Sequence, residues 1–234
     1  MSTLPTRQYR YLDFLINIFV VVLIVSNLIA QKSVPLGPLR VSAAQMLFPI
    51  TYIFGDVFTE VYGYSASRRA IWTGFMASAV MTAFGLFAIW LPSAPEFTNQ
   101  AAFETIFGAV PRIVAGSLLA YWCGEFANSL TVAKMKIFTN GRYLWTRTVG
   151  STIVGQAIDT TIVVIFIFWG SPVRYIATLI VSGYLFKVVY EVVATPLTYW
   201  VVNTLKRREG VDFFDRNTNL NPFAISAPVG ATED

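Results

Sequence analysis

Residues 11–30 read YLDFLINIFVVVLIVSNLIA and decide the fold, because nearly every position in this stretch is apolar. About 20 such residues are needed for an α-helix to cross the hydrocarbon core of a bilayer. Five further segments of similar character follow, so the predicted spans are Tyr11–Ala30, Ala43–Tyr62, Ile71–Leu91, Ile113–Val132, Val149–Gly170 and Tyr175–Val202. They lack the polar and apolar alternation of a transmembrane β-barrel. The sequence therefore predicts an all-α membrane protein of about six transmembrane helices.

The composition of the 234-residue chain favours a membrane over an aqueous environment. Hydrophobic residues make up 55% and charged residues 13% of the chain, and the mean hydropathy is +0.58. A soluble domain usually contains about a quarter charged residues. The net charge is +4, but the basic residues lie between the apolar spans, so we expect no nucleic-acid partner. One cysteine, Cys123, and no histidine exclude a disulfide framework and histidine-dependent catalysis, and we expect no metal and no cofactor.

Basic residues in the short loops predict the orientation of the chain. With the amino terminus inside, twelve Lys and Arg residues fall on the cytoplasmic side and four on the opposite side. We therefore expect both termini in the cytoplasm and a first span that is retained rather than cleaved as a signal peptide. Residues 1–210 form the predicted transmembrane domain, and residues 211–234 a polar, poorly ordered cytoplasmic tail. Three helices in each half would make the halves inverted copies, although no sequence repeat accompanies this plan.

The second span carries a stripe of polar and special residues inside a predicted helix. At spacings of three or four residues the stripe contains Gln45, Pro49, Tyr52, Asp56, Glu60 and Gly63. Ionisable groups inside a membrane are costly, which makes Asp56 and Glu60 candidates for substrate hydrogen bonding or proton coupling. The alternative for Glu60 is a side chain that only reaches the cytoplasmic interface.

The fifth and sixth spans contain a second polar group, made up of Gln156, Asp159, Lys187 and Glu191. Asp159 and Lys187 both lie near mid-span, and a mutual ion pair is the least costly way to bury them. Such a pair either fixes the register of the two helices or opens when a polar ligand arrives. Weaker candidates are Glu125 and Asn128 in the fourth span and Asn27 at the end of the first.

One long motif in the second span resembles that of a known family. Residues 48–64 read FPITYIFGDVFTEVYGY and match F-P-x-T-Y-x-x-G-D-x-x-x-E-V-Y-G, the pattern of the queuosine precursor transporter family, also called the vitamin uptake transporter family. Further matches are Asn27 and Lys32, Arg68-Arg69, residues 150–160 (GSTIVGQAIDT), Phe186-Lys187 and Pro196. The resemblance extends from the first helix to Pro196, so only the two ends of the chain fall outside it.

This resemblance implies uptake of a 7-deazaguanine precursor of queuosine, 7-cyano-7-deazaguanine and/or its 7-aminomethyl form, across the bacterial inner membrane. It favours as substrate-binding residues Asp56, Gln156, Asp159 and Lys187, followed by Glu60, Glu191, Tyr52 and Asn27. A carboxylate is suited to accept hydrogen bonds from a guanine-like edge, and an amide to read its carbonyl.

Several alternatives stay open beside a secondary transporter. The chain has no phosphate-binding G-x-x-x-x-G-K-[ST] loop, but it could be the substrate-binding subunit of a multi-component uptake system. A homodimer also stays open. An intramembrane aspartyl-type enzyme is a poorer match, because Ile53 replaces the first glycine of the G-x-G-D motif. A purely structural membrane protein seldom needs so many central charges.

Overall fold

The computed structural model describes residues 9–29, 32–36, 39–108, 110–167, 170, 172–215, 218, 219, 221 and 223. Within these residues the chain is helical apart from one two-stranded β-hairpin, which agrees with the predicted helical class. The elements are α1 (Leu12–Ile29), β1 (Ser33–Leu36), β2 (Leu39–Ser42), a 3-10 turn (Ala43–Met46), α2 (Phe48–Val57), a π-helical segment (Phe58–Tyr62), α3 (Tyr64–Trp90), α4 (Gln100–Gly108), α5 (Val110–Phe138), α6 (Leu144–Ile167) and α7 (Val173–Glu209).

Four of the described helices are long and apolar enough to cross a membrane. They are α1, α3, Leu144–Phe166 of α6 and Val173–Tyr190 of α7. The fourth predicted span lies within the 29-residue helix α5. Large apolar side chains cover the outer faces of these helices: Phe84 is 68% exposed, Trp90 78% and Val181 56%. Such a surface is unfavourable in water and is the one expected of a protein whose surroundings are lipid.

The predicted second span, Ala43–Tyr62, is not one continuous α-helix. After the 3-10 turn, α2 runs for only 10 residues, with a proline in its first turn, where the missing N–H breaks no helical hydrogen bond. The last five residues form the π-helical segment that contains Glu60. Gly63, at φ +86°, ends this segment, and a Cβ there would lie 2.3 Å from the ring of Phe213. Single π-helical turns occur frequently at functional sites, and sequence periodicity gives no signal for them.

The boundaries of several other elements differ from those predicted. The hairpin, in which Val34 lies opposite Val41, and the short helix α4 were not predicted, because such short elements show little periodicity. Helix α3 begins at Tyr64 rather than at Ile71, since its second turn contains Arg68 and Arg69, charged residues that an apolar span leaves out. Helix α7 continues to Glu209 and contains Pro196. At about 1.5 Å per residue it is roughly 55 Å long, which exceeds the thickness of the hydrocarbon core.

Helix α2 lies in the interior of the bundle. It contacts α1, α5 and α7, while α5 packs along α6 and α6 packs along α7. Apolar side chains fill the side of α2 that faces α1, where the ring of Phe54 packs against that of Phe19. The other side of α2 therefore faces α5, α6 and α7, where the buried polar side chains lie.

Part of the predicted polar tail packs on the bundle. We call the described residues beyond α7 the C-terminal strap: residues 211–215, 218, 219, 221 and 223. The Asp215 carboxylate accepts the backbone N–H of Tyr64, with N–O distances of 3.0 and 3.1 Å. Arg68 Nη1 donates to the carbonyl oxygens of Asn219 and Asn221, at 2.8 and 2.9 Å. The strap therefore covers the first turns of α3.

Candidate functional site

Asp56 joins three helices in the interior of the bundle. The residue is 1% exposed on α2, and its Oδ1 atom accepts hydrogen bonds from Asn128 Nδ2 of α5 at 3.2 Å and from Ser151 Oγ of α6 at 3.3 Å. Both donors are themselves fully buried. A buried carboxylate can accept hydrogen bonds from a polar ligand as well as from these two donors.

A second carboxylate lies against Gly55, the residue before Asp56. Glu125 of α5 is fully buried, and a Cβ added at Gly55 would lie only 1.8 Å from Glu125 Oε1. Glycine at position 55 therefore allows the Glu125 side chain to approach the backbone of α2. In the motif, Asp56 thus supplies one carboxylate, and Gly55 leaves room for that of Glu125.

Glu60 lies about one turn from Asp56 and is held by three cations. Arg147 of α6 donates to both carboxylate oxygens, with Nη2 2.7 Å from Oε1 and Nε 3.0 Å from Oε2. Lys206 Nζ of α7 lies 2.7 Å from Oε1, and Lys136 Nζ of α5 lies 3.6 Å from the same atom. Glu60 is 0% exposed and ion-paired, and its two suggested roles, in substrate binding or at the cytoplasmic interface, stay predictions. We call this group the Glu60 cluster.

The C-terminal strap completes the Glu60 cluster. Lys136 Nζ donates to Asp212 Oδ1 at 2.8 Å, to the carbonyl oxygen of Glu60 at 2.8 Å and to that of Phe213. Burial opposes ionisation of Asp212, but hydrogen bonds from Lys136 and Lys206 outweigh it and hold the pKa of Asp212 below its usual range. The end of the bundle formed by this cluster, called here the basic end, is therefore closed by charge pairs.

Asp159 and Lys187 form the ion pair predicted from the sequence. Lys187 Nζ of α7 lies 2.6 Å from Asp159 Oδ2 of α6, and both side chains are almost fully buried. The pairing is thus confirmed, while the two suggested roles, helix register and ligand-dependent opening, stay predictions. The pair lies about 18 Å along α6 from Arg147, at about 1.5 Å per residue.

Helix α6 carries a buried polar face between the Glu60 cluster and this ion pair. Arg147, Ser151 and Asp159 recur at multiples of four residues, and Gln156 lies beside them at 1% exposure. Gln156 Oε1 is buried and accepts no hydrogen bond from any described residue. A buried polar face of this length is expensive in an apolar bundle unless water or a ligand satisfies it.

Of the sequence-predicted site residues, Asn27 is the one that the described contacts place outside these groups. Tyr52 and Glu191 lie on α2 and α7, and their side chains are outside the described part of the structure. Asn27 Nδ2 donates to Ser78 Oγ at 3.4 Å and so joins α1 to α3. Among the described hydrogen bonds, none connects Asn27 to Asp56.

Several residues of the interior make contacts that the sequence does not predict. Glu125 and Asn128 are only weaker candidates from the sequence, although their spacing of three residues places both on one face of α5. Lys136 and Arg147 are predicted only as two of the twelve cytoplasmic cations that set the orientation. The signal for Arg147 was its spacing of four residues from Ser151, which continues the polar face of α6.

These features define a multi-pass helical membrane protein with polar side chains lining its buried helix faces. A family model described as "Putative vitamin uptake transporter" matches residues 42–201. A Bacillus subtilis (strain 168) protein described as "Probable queuosine precursor transporter" is 33% identical over 179 residues, which cover 74% of this chain and 77% of the relative. The chain therefore belongs to the vitamin uptake transporter family, which confirms the resemblance noted above. This is a family of transporters, so the alternative of an intramembrane enzyme is wrong. No solved structure matches the chain.

Proposed function

We propose that this protein imports a queuosine precursor, 7-cyano-7-deazaguanine and/or 7-aminomethyl-7-deazaguanine, across the bacterial inner membrane. The observation that carries the proposal is the buried polar face of α6, on which Gln156 Oε1 finds no partner among the described residues. Asp56 adjoins this face through Ser151, and Asp159 lies on it. The description of the Bacillus subtilis relative supports the class of ligand.

The chemistry of these side chains suits a guanine-like ring. Adjacent N–H donors on such a ring can bind one carboxylate through two hydrogen bonds, and Asp56 is the carboxylate best placed for this. Gln156 offers both a donor and an acceptor for the remaining polar edge. The Asp159–Lys187 pair is neutral as a unit, so it can exchange partners with a polar ligand without exposing a net charge. We assign supporting roles to Glu60, Glu191, Tyr52 and Asn27.

The transport route in this proposal runs along α6 between two alternately exposed ends. The six spans are α1, α2 with the π-helical segment, α3, α5, α6 and α7, and both termini are cytoplasmic. Residues 1–210 form a single transmembrane domain in this arrangement. The Glu60 cluster then lies at the cytoplasmic end, where its ion pairs must rearrange to release the substrate. Movement of one helix group against another around a fixed site is the usual mechanism of secondary transporters.

Uptake of labelled 7-cyano-7-deazaguanine tests the proposal directly. Cells that cannot synthesise the precursor should accumulate the label only when they express the protein. An expressing strain that accumulates no more label than the control strain would overturn the proposal. The purified protein in lipid vesicles then separates two arrangements: uptake without other proteins supports a self-sufficient transporter, and uptake that needs further subunits supports a multi-component system.

A further inference from the structure

A line of side-chain oxygens without partners runs along α6. Thr152, Gln156 and Thr160 are spaced four residues apart, so they lie on one helix face over about 12 Å. They are 0%, 1% and 2% exposed. Within the described part of the chain, Thr152 Oγ1, Gln156 Oε1 and Thr160 Oγ1 make no hydrogen bond. A buried polar atom without a hydrogen-bond partner is costly, so we expect a ligand to bind along a line of three such atoms.

The 3-10 turn and α7 approach the same face of α6. Gln45 Oε1, on the 3-10 turn, is a further buried atom without a hydrogen bond among the described residues. A Cβ added at Gly183 of α7 would lie 3.5 Å from Thr160 Cγ2 and 3.7 Å from Gln45 Nε2. The three elements therefore meet at Gly183. Lys187, about one turn further along α7, is occupied by its ion pair with Asp159.

We propose that Gln45, Thr152, Gln156 and Thr160 form a ligand subsite that binds the same molecule in addition to the Asp56 carboxylate. None of the four side chains carries a charge, and each can both donate and accept a hydrogen bond. Such a set suits a flat, neutral heterocycle whose edge alternates N–H donors with ring or carbonyl acceptors. This inference rests on the proposed function, in which the heterocycle is the 7-deazaguanine ring shared by both precursors.

Because these atoms have no hydrogen-bond partner in the described part of the chain, substitutions in the subsite should have a distinctive effect. Replacing a threonine whose hydroxyl is bonded within the protein removes a hydrogen bond and destabilises the fold. Replacing Thr160 by valine instead removes an unsatisfied buried oxygen, so the ligand-free protein should keep its stability or gain some. The loss of the hydroxyl should lower the stability of the ligand complex only. A residue with a purely structural role would behave in the opposite way.

The chain offers a matched control on the same helix. Thr148 is also fully buried on α6, but its Oγ1 atom donates to the carbonyl oxygen of Trp145 at 3.1 Å and approaches that of Leu144 at 3.4 Å. Thr148→Val should therefore lower the melting temperature of the ligand-free protein and leave its affinity for the ligand unchanged. The comparison removes any general effect of placing valine inside α6.

The experiment measures the melting temperature and the Kd for 7-cyano-7-deazaguanine on the purified full-length protein in detergent. We expect Thr160→Val and Gln45→Leu to raise Kd roughly three- to tenfold each, the effect of one lost hydrogen bond. The melting temperature of Thr160→Val without ligand should not fall. If Thr160→Val lowers the melting temperature and leaves Kd unchanged, the subsite is wrong while the proposed function stands. If the wild-type protein does not bind the compound, the proposed function and this ligand class both fall.

Discussion

Arg147 binds Glu60 through two parallel hydrogen bonds, in which Nε lies 3.0 Å from Oε2 and Nη2 lies 2.7 Å from Oε1. Both side chains are 1% exposed. The pair joins α6 to the π-helical segment, so the shape of that segment and the position of α6 depend on each other. Lys136 and Lys206 add further positive charge around the same carboxylate.

Neutralising Glu60 should therefore destabilise the protein strongly. In Glu60→Gln, three buried or partly buried cations lose their shared carboxylate, and breaking a buried ion pair typically costs about 3–5 kcal/mol. The free energy of unfolding in detergent should fall by about that amount. The control is Asp13→Asn, which breaks a pair with Arg69 whose side chains are 73% and 56% exposed. An equal effect of both variants would contradict the importance of the Glu60 cluster.

Asp56→Asn should strongly reduce precursor uptake while membrane insertion remains normal. The amide keeps the size of the side chain but loses the negative charge that accepts hydrogen bonds from the ligand. Loss of one charge-assisted hydrogen bond should lower the initial uptake rate about 10- to 100-fold at limiting substrate. Normal uptake by this variant, at wild-type protein level in the membrane, would remove Asp56 from the site.

A charge swap separates the two roles of the Asp159–Lys187 pair. Asp159→Asn and Lys187→Met each leave one buried charge without its partner and should reduce the amount of folded protein. The double variant Asp159→Lys with Lys187→Asp should restore the pair and the folded yield. If uptake returns as well, the pair mainly fixes helix register. If folding returns without uptake, ligand binding requires the negative charge on α6 and the positive charge on α7.

Gly55→Ala should disturb the protein through Glu125. The added Cβ would lie 1.8 Å from Glu125 Oε1, a separation that no real contact allows, so the carboxylate has to move. We expect a loss of about 1–3 kcal/mol in unfolding free energy, the usual cost of overpacking, together with reduced uptake. Shortening the neighbour in Gly55→Ala with Glu125→Asp should recover part of the stability.

The control for this glycine is Gly108→Ala. A Cβ at Gly108 meets only Ile89 Cδ1, at 4.0 Å, which is an ordinary contact. This variant should keep wild-type stability and uptake. A Gly55→Ala protein that behaves like it would show that the Glu125 side chain has room to leave α2 at no cost.

The contact of Asp212 with the basic end predicts a dependence of stability on pH. Because its pKa is lower in the folded protein, the carboxylate stabilises the fold above its ordinary pKa, and this contribution is lost as the pH falls through the folded pKa. Asp212→Asn should therefore be less stable than wild type by a constant amount from pH 5 to 8, and the difference should shrink below about pH 4. The side chain is 51% exposed, so we expect less than about 1 kcal/mol. A difference that grows on acidification would contradict the pairing.

The features that the sequence predicted correctly depend on single elements or on simple charge balance. Apolar length alone identifies helices such as α1 and α3, because the bilayer sets a minimum span. The Asp159–Lys187 pair was predictable because each helix carries an isolated mid-span charge of opposite sign, and mutual neutralisation leaves few other choices.

The features that were missed depend on which helices become neighbours. Arg147 contacts Glu60 across 87 positions of sequence, and a cation near the start of a helix looks the same whether it faces water or a buried acid. The close approach of Glu125 to Gly55 depends on the packing of α5 against α2, which the sequence does not show. The π-helical segment has no periodic pattern of its own, so its irregular backbone was read as part of a regular helix.

The C-terminal strap has a consequence for recombinant expression. The match to the family ends at residue 201, and a fragment cut at that boundary would lack both Lys206 and Asp212. The truncated polypeptide would keep Glu60 and Lys136 but lose the residues that join them to α7 and the strap. A fragment that ends at the limit of the family match should therefore be less stable than the full-length protein. A purification tag is better attached beyond the strap than directly after the last helix.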